Sequence, residues 1–504
     1  MKLETVIVTR TPVSAPRGTT LGAAIGAAAV VAAALTSCTL EPHYTRPTAP
    51  VASTWTDKSR PPTNNTTTAA DTGWRQFFPD PGMQRLIALA LANNRDMRIA
   101  ALNVQATQAQ YRVQRAELFP TVALTGLEQI QKNPSGTTAS QGTSTGNVGS
   151  ISSTGGQTIR FFEAGVGFTS YEIDFFGKIR SLNHEALERY LSSEETRRST
   201  QLTLIAQVVS AYLAVLADET ILKVTRETLQ SQTASYDLTK RSLDAGTTTA
   251  LAFRQAATTV DTAKANLAAY TRQAAQDRNA LVLLIGGSLP DDISFEADLG
   301  AVNLSADLPA GVPSEVLANR PDVLAAEHTL IAANADIGAA RAAFFPSITL
   351  TGSYGSASTQ LSGLFKAGSS AWTFSPQISL PIFAGGANKA NLDLSKIEKN
   401  INIAQYEKTL QTAFREVDDA LAARQTLDDQ LTAQRALLED TSQSYQLADL
   451  RFKSGVDSFL PVLDAQRALY AAQQSVISLE LIRLQNMATL YKALGGGMQE
   501  ATRP

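Results

Sequence analysis

The chain has 504 residues, of which 44% are hydrophobic and only 18% are charged. This balance suits neither a bundle of membrane helices nor a disordered chain. The net charge is -3, from 43 Lys+Arg against 46 Asp+Glu. Since no run of basic residues forms a stripe along any predicted helix, the sequence argues against nucleic acid as a partner.

The N-terminus has the pattern of an export signal. An apolar run at 21–35 follows the cations Lys2, Arg10 and Arg17. Its length favours a cleaved signal peptide over a membrane span. We therefore predict a signal peptide at 1–37.

The single cysteine, Cys38, comes directly after this signal and excludes an intrachain disulfide. The preceding Leu-Thr-Ser resembles a bacterial lipobox, so Cys38 is predicted to become the lipid-modified first residue of the mature chain. Thr39, by resemblance to bacterial lipoproteins, favours sorting to the outer membrane. The alternatives are a short transmembrane anchor or an ordinary signal peptide with a chance cysteine.

Residues 41–70 are rich in Pro, Thr, Ser and Asn without a hydrophobic period. Such a composition predicts an extended tether between the lipid and the fold. We assign 38–72 to this lipidated tether.

The rest of the chain contains an internal repeat. The segment 115–126 recurs at 341–352, and Tyr236, Gly246 and Gly286 recur at Tyr445, Gly455 and Gly495. The distance along the chain between the two copies is larger for the first set of positions than for the second. This difference indicates an insertion in the first copy, in the Gly/Ser/Thr-rich stretch 133–158, which is predicted to be a hairpin loop. We place the first repeat at 73–300, the second at 301–497 and a C-terminal tail at 498–504.

Each repeat reads as helix, strand, loop, strand, very long helix, glycine turn and long helix. In the predicted strand 372–382, Trp372, Phe374 and Ile378 alternate with polar residues. In the first repeat the alternation changes phase near Ser170, which predicts a β-bulge. Strands that are apolar on one side and small and polar on the other are typical of a barrel between lipid and water.

Four strands cannot close a membrane barrel, since the smallest have about eight. The alternative of a soluble sandwich would leave strand edges exposed. Three chains would supply twelve strands, so the sequence predicts a homotrimer.

The predicted helices are unusually long. From Asn388 to about Phe452 there is neither Pro nor Gly, and at about 1.5 Å per residue this helix would reach roughly 100 Å. Apolar residues follow coiled-coil spacing on two helices, which requires partner helices. These seams are Leu202, Ile205, Val209, Tyr212 and Leu216 on one helix, and Leu463, Tyr470, Ile477, Leu484 and Tyr491 on the other.

Three motifs together resemble the TolC-like outer-membrane efflux proteins, in the lipoprotein branch that serves resistance-nodulation-division pumps. They are the run 318–327 containing Asn-Arg-Pro-Asp, the Phe-Pro pairs that begin two strands, and the run 451–467. From the residues themselves, Pro321 suits a first helical turn and Asp322 the positive end of a helix dipole, so we interpret Arg320 and Asp322 as structural.

The resemblance implies a mixed α and β membrane protein. Its trimer would form a 12-stranded β-barrel continued by a long periplasmic α-helical barrel. The expected function is passive export of drugs or other toxic small molecules across the outer membrane, with a periplasmic adaptor and an inner-membrane resistance-nodulation-division pump as partners. The alternatives are the duct of a type I protein secretion system and a trimeric structural coiled-coil lipoprotein.

The resemblance also assigns the candidate sites. The turns at Gly246-Thr247 and Gly455-Val456 would form the periplasmic tip that contacts the adaptor. Leu460, Asp464 and Arg467 match the family's constriction, or periplasmic gate. Three Asp464 carboxylates around one axis would repel one another and attract cations, whereas three Leu460 would form an apolar plug. The alternative for Asp464 is a carboxylate on a solvated helix face.

Enzyme chemistry is not indicated. His43, His184 and His328 lie far apart without metal-ligand spacing and are interpreted as incidental. Phosphate-loop and nucleophile motifs are also missing from the sequence. We therefore expect neither metal nor cofactor, beyond the lipid on Cys38, and transport energy would have to come from a partner.

Overall fold

A computed structural model of the chain describes residues 39–55, 71–132, 158–295, 299–302, 304 and 313–500. The predicted signal peptide, the lipidation residue Cys38 and nearly all of the predicted loop 133–158 lie outside the described residues. The chain divides into two compact units. Of the described residues, the sheet unit comprises those within 39–43, 114–184 and 334–396, and the helical unit comprises those within 44–113, 185–333 and 397–500.

The sheet unit contains four antiparallel strands in sequential order. They are β1 (Val122–Lys132), β2 (Thr158–Ile173), β3 (Ser347–Ser358) and β4 (Ser370–Ser379). The predicted strand 372–382 therefore begins two residues earlier and ends before Leu380. The last paired residue of β4 is Ser379, opposite Ser347, the first residue of β3, so β4 ends where its partner strand begins.

Side chains alternate across the sheet as predicted. Leu124, Val166, Tyr354 and Trp372 lie side by side in one row across the four strands. The neighbouring row on the other face consists of Ala123, Gly167, Ser353 and Thr373. One face is therefore apolar and exposed, and the other is small and polar.

The predicted bulge is present in β2. The register between β2 and β3 shifts between Phe168 and Tyr171. Ser170 lies at the shift with φ 55°, a left-handed conformation that is uncommon for a residue with a side chain. The extra residue keeps apolar side chains on one face although the alternation in the sequence changes phase.

Helices make up most of the remaining chain. They are α1 (Trp74–Phe77), α2 (Pro81–Asn93), α3 (Arg95–Ala116), α4 (Lys178–Asp244), α5 (Ala250–Ile285), α6 (Pro313–Asn319), α7 (Pro321–Ala342), α8 (Ala387–Lys453) and α9 (Leu460–Ala493). Both α4 and α8 have 67 residues, about 100 Å at 1.5 Å per residue. The long helix predicted from Asn388 is therefore confirmed as α8.

The largest hydrophobic core lies in the helical unit. Phe77 stacks on Tyr491 at a centroid distance of 4.3 Å, beside buried Leu213 and Leu216 of α4. All five residues of the predicted α4 seam are buried. The α9 seam is buried at four of its five positions, and Tyr470 is half-buried.

Among the described helices, α4 alone contains a stretch long and apolar enough to cross a membrane. More than half of that stretch, 56%, is buried inside the protein. Since its side chains pack against the core, the stretch has the character of a core helix.

Residues 39–55 form an extended strap that is fixed to the helices rather than loose. In the sheet unit, the Leu40 carbonyl accepts a hydrogen bond from Arg341 (3.0 Å), and the Pro42 carbonyl accepts one from Asn334 (2.7 Å). In the helical unit, Arg46 makes two hydrogen bonds to Glu327, at 2.7 and 2.6 Å. The described residues of this segment are thus held to α7, while the tether assigned to 38–72 stays a prediction.

Candidate functional site

Two tight turns reverse the chain between long helices. Gly246, with φ 71°, joins α4 to α5, and Gly455, with φ 70°, joins α8 to α9. In the first turn the N–H of Thr247 donates to the Ser242 carbonyl at 2.9 Å; in the second, the N–H of Val456 donates to the Arg451 carbonyl at 3.0 Å. Both are Schellman helix ends, in which glycine supplies the left-handed residue. We call them the first and second tips.

The two tips differ in chemistry. At the first tip, Thr249 caps α5 by accepting a hydrogen bond from the Ala252 N–H at 3.2 Å. At the second, no described side chain caps α9, and Pro461 occupies the first turn, where its missing N–H is not needed.

An ion pair closes the second tip. Arg451 donates from Nε and Nη2 to the two carboxylate oxygens of Asp457, at 2.5 and 3.1 Å. These hydrogen bonds, together with the positive charge of Arg451, hold the pKa of Asp457 below its usual range. This pair was not predicted from the sequence, although an arginine and an aspartate stand on either side of the turn glycine.

A groove of about 760 Å³ lies between the two tips. Thr247 and Gly455 line it, whereas Gly246 and Val456 do not, and Val456 is exposed. Leu238 and Leu251 give the groove an apolar wall. The described tip residues therefore form a concave surface with both apolar and hydroxyl groups.

The three candidate gate residues share one exposed face of α9. Leu460 is 49% exposed, and the side chains of Asp464 and Arg467 are 64% and 53% exposed. Their spacings of four and three residues bring them together on the helix surface. Arg467 Nη1 lies 3.9 Å from Asp464 Oδ1, a long and solvated ion pair that contributes little stability.

The opposite side of this part of α9 packs against other helices of the chain. Val462, Leu463 and Gln466 are buried, the first two in a cluster with Phe459 and Ala256 of α5. Position 255 of the first repeat, which aligns with Asp464, is a glutamine in the groove. One charged and one neutral residue per chain therefore occupy equivalent positions in the two repeats.

The repeat itself matches a known family twice. A model described as "outer membrane efflux protein" matches residues 86–287 and 312–496. The chain belongs to the outer membrane efflux protein family. The internal repeat predicted from the sequence is the repeat of this family, while the domain boundaries given above stay predictions.

Relatives support the same assignment over nearly the full length. The antibiotic efflux pump outer membrane protein ArpC of Pseudomonas putida is 49% identical over 94% of this chain and 96% of its own length. The toluene efflux pump outer membrane protein TtgC, also of Pseudomonas putida, has the same identity and coverage. Both carry names of efflux-pump components of the outer membrane.

A solved structure shows the same fold. The open state of the MtrE outer membrane channel of Neisseria gonorrhoeae superimposes with a TM-score of 0.82 at 38% identity, covering 93% of this chain and 100% of that one. The predicted fold class is confirmed, because the chain has the four-stranded sheet and long helices of trimeric outer-membrane efflux channels. The protein is thus an outer-membrane efflux channel component, as predicted.

The family motif at 318–327 has a packing role in the efflux protein. Arg320 is buried and hydrogen-bonds to Asp322 at 2.7 Å, to Glu416 at 2.8 Å and to the Ala493 carbonyl at 3.0 Å. Burial disfavours the charge on Asp322, but hydrogen bonds from Arg320 outweigh it and lower the pKa of Asp322. The motif therefore links α7, α8 and α9.

Two of the histidines interpreted as incidental to metal or enzyme chemistry pair with glutamates. His184 Nδ1 lies 3.1 Å from Glu41, and His328 Nδ1 lies 2.6 Å from Glu188. The hydrogen bond to Glu188 raises the pKa of His328. Within the described residues, no three potential ligands cluster to hold a metal ion, and both contacts join side chains that are distant in sequence.

Proposed function

We propose that three copies of this chain form a passive exit duct for a periplasmic adaptor and an inner-membrane resistance-nodulation-division pump. The observation that carries this proposal is the sheet with one apolar face. In a single chain β1 and β4 each have only one described partner strand. Two further copies would pair these edges and close twelve strands around a lumen lined by the small polar face.

The expelled molecules are drugs or other small toxic compounds. Named relatives at 49% identity serve an antibiotic pump and a toluene pump. A wide duct selects little, so the pump makes the choice of substrate. We infer that the chain has no catalytic role and that transport energy comes from that pump.

The tips are the adaptor contact in this proposal. The groove between them, with Thr247 and Gly455 in its wall, is concave and partly apolar, as a helical partner requires. Gly246 and Val456 complete the surface. The gate consists of Leu460, Asp464 and Arg467, because these residues share an exposed face that neighbouring copies could bring together around one axis.

Cys38 carries the lipid that anchors the chain to the outer membrane. Cys38→Ser should abolish metabolic labelling with palmitate and shift the mature N-terminus. Cleavage elsewhere in the wild-type chain, with an unmodified cysteine, would contradict the lipoprotein assignment.

The decisive experiment combines mass and conductance. The detergent-extracted mature protein should have the mass of a trimer and conduct in planar bilayers, and a deletion strain should become sensitive to drugs. A trimer that never conducts, even after Leu460→Ala, would favour the structural lipoprotein. Unchanged drug sensitivity together with lost secretion of a protein would favour type I secretion. A monomer would overturn the proposal.

A further inference from the structure

A row of polar side chains follows the inward-packed side of α9. Gln466, Tyr470 and Gln474 recur at every fourth residue, which is about one helical turn. Each one hydrogen-bonds to another helix of the same chain. Gln466 donates to Ser231 Oγ at 3.1 Å, the hydroxyls of Tyr470 and Thr225 lie 2.9 Å apart, and Gln474 donates to the Tyr270 hydroxyl at 2.8 Å. We call these three contacts the polar ladder.

The ladder reaches three neighbouring helices. Ser231 and Thr225 belong to α4 and Tyr270 belongs to α5. Ser231 Oγ also lies 3.1 Å from the hydroxyl of Tyr445 on α8. We call the contact between Gln466 and Ser231 the lowest rung. Through Ser231 it joins α9 to both very long helices, α4 and α8.

The lowest rung is poorly suited to stabilising the protein. Gln466 is 5% exposed, and its Oε1 finds no hydrogen-bond partner among the described residues. Gln232, beside Ser231, also has a buried Oε1 without a hydrogen-bond partner among the described residues. A buried amide oxygen without a partner destabilises the fold, and apolar side chains of the same volume would pack there without that penalty.

Apolar packing is already present on either side of the ladder. Leu463 and Ile477 are buried on the same helix, in the α9 seam. Apolar contacts tolerate small rotations and shifts, whereas a buried polar contact between helices fixes one register. The ladder therefore specifies position more than it adds stability.

Gln466 lies between two of the candidate gate residues, Asp464 and Arg467. Because a helix turn moves as a rigid unit, a rotation or shift of α9 that displaces the gate face also displaces Gln466. If α9 moves relative to α4, the hydrogen bond of Gln466 to Ser231 must break. The candidate gate and the lowest rung cannot move independently.

We propose that the polar ladder is a register lock that positions the gate face of α9 in the resting state. Its residues are positioning residues and need not line the lumen. This inference rests on the proposed gate at Leu460, Asp464 and Arg467, and goes beyond it by assigning the restraint to contacts within one chain.

The test uses Gln466→Met, which keeps the side-chain length and removes the hydrogen bond. In planar bilayers the open fraction should rise about fivefold, which corresponds to ~1 kcal/mol, the net contribution of one typical hydrogen bond. The apparent melting temperature should stay the same or rise. A purely structural role gives the reverse, with a lower melting temperature and an unchanged open fraction.

Two further variants sharpen the result. Ser231→Ala should raise the open fraction at least as much, because it also removes the contact with Tyr445. Adding Gln466→Met to Ser231→Ala should change little further, because the contact between Gln466 and Ser231 is already lost. Additive effects would overturn the lock. Ser475→Ala, on an exposed part of α9, is the matched control and should leave the open fraction unchanged.

Leu460→Ala separates this inference from the proposed gate. If Leu460→Ala raises conductance and the ladder variants do not, the lock is wrong and the gate stands. If neither wild type nor Leu460→Ala conducts, the duct itself is wrong, and the lock falls with it.

Discussion

The carboxyl group of Asp218 on α4 lies close to that of Asp277 on α5, so two acidic side chains occupy one site between adjacent helices. Asp218 is only 7% exposed. Burial, and then the proximity of Asp277 and Glu219, raises the pKa of Asp218 to about 7. Burial and the neighbouring acidic groups both disfavour a negative charge on Asp218, so Asp218 keeps its proton to a higher pH than an exposed aspartate.

This pair predicts a pH-dependent stability. Between about pH 4 and pH 7 the folded protein keeps a proton that the unfolded chain has lost, so the free energy of unfolding falls as the pH rises through that window. The shift from 3.8 to about 7 sets an upper limit of ~4 kcal/mol for an isolated group. Coupling to Asp277 reduces that contribution.

Asp218→Asn should remove most of this dependence. At pH 8 its apparent melting temperature, followed by circular dichroism in detergent, should exceed that of the wild type, while at pH 4 the two should agree. Asp261→Asn, an exposed carboxylate on the same α5, is the control. If Asp218→Asn melts like the wild type at both pH values, the folded protein does not keep a proton on Asp218 between pH 4 and pH 7, and the prediction is wrong.

The gate residues predict separable effects on ion flow. Asp464→Ala should lower cation selectivity, because it removes one carboxylate per subunit from the proposed constriction. Leu460→Ala should raise conductance with little change in selectivity. Both are measured by single-channel recording in asymmetric salt. Asp440→Ala, an exposed residue of α8, should change neither property; equal effects at all three sites would argue against a localised gate.

The turn glycines predict a local backbone effect. Gly455→Ala should destabilise the second tip by ~1 kcal/mol, because alanine is strained at positive φ. The cost is conformational, since a Cβ at Gly455 would meet no described atom within 4 Å. Gly287→Ala is a matched control, because Gly287 is equally open without positive φ. Hydrogen exchange of the tip amides should increase for Gly455→Ala alone.

The sequence specified the sheet well because its signals are local. Alternation at Trp372 and Phe374 identified the apolar face of the sheet, and the change of phase at Ser170 located the bulge. Likewise, a helix without Pro or Gly is readable from composition. The end of β4 was placed too late because apolar Leu380 continues the alternation beyond the point where hydrogen bonding stops.

Contacts between distant segments were not readable. Gln466 and Gln474 have the spacing of a solvated helix face, and only the packed helices show that they reach Ser231 and Tyr270. The strap residue Arg46 stands in a Pro/Thr-rich stretch, yet it pairs with Glu327. The candidate gate residues were predicted from the family resemblance. In a single chain they lie on an exposed face, so contacts within the chain do not identify them.

Arg320 predicts the largest single loss of stability. It is buried and pairs with Asp322 and Glu416, and its other hydrogen bonds go to backbone carbonyls of α8 and α9. Arg320→Ala would leave these carboxylates without their cation; the cost is ~3–5 kcal/mol when the remaining charge is fully buried, and it should be smaller here because Asp322 and Glu416 are 35% and 33% exposed. Arg320→Lys should recover only part of the loss, because one ammonium cannot replace the planar, multiply donating guanidinium. Folded protein yield and apparent melting temperature in detergent report the effect. Arg415→Ala, which removes an exposed pair with Asp419 at 3.9 Å, should be near neutral; a similar loss for both variants would mean that buried charge is not the cause.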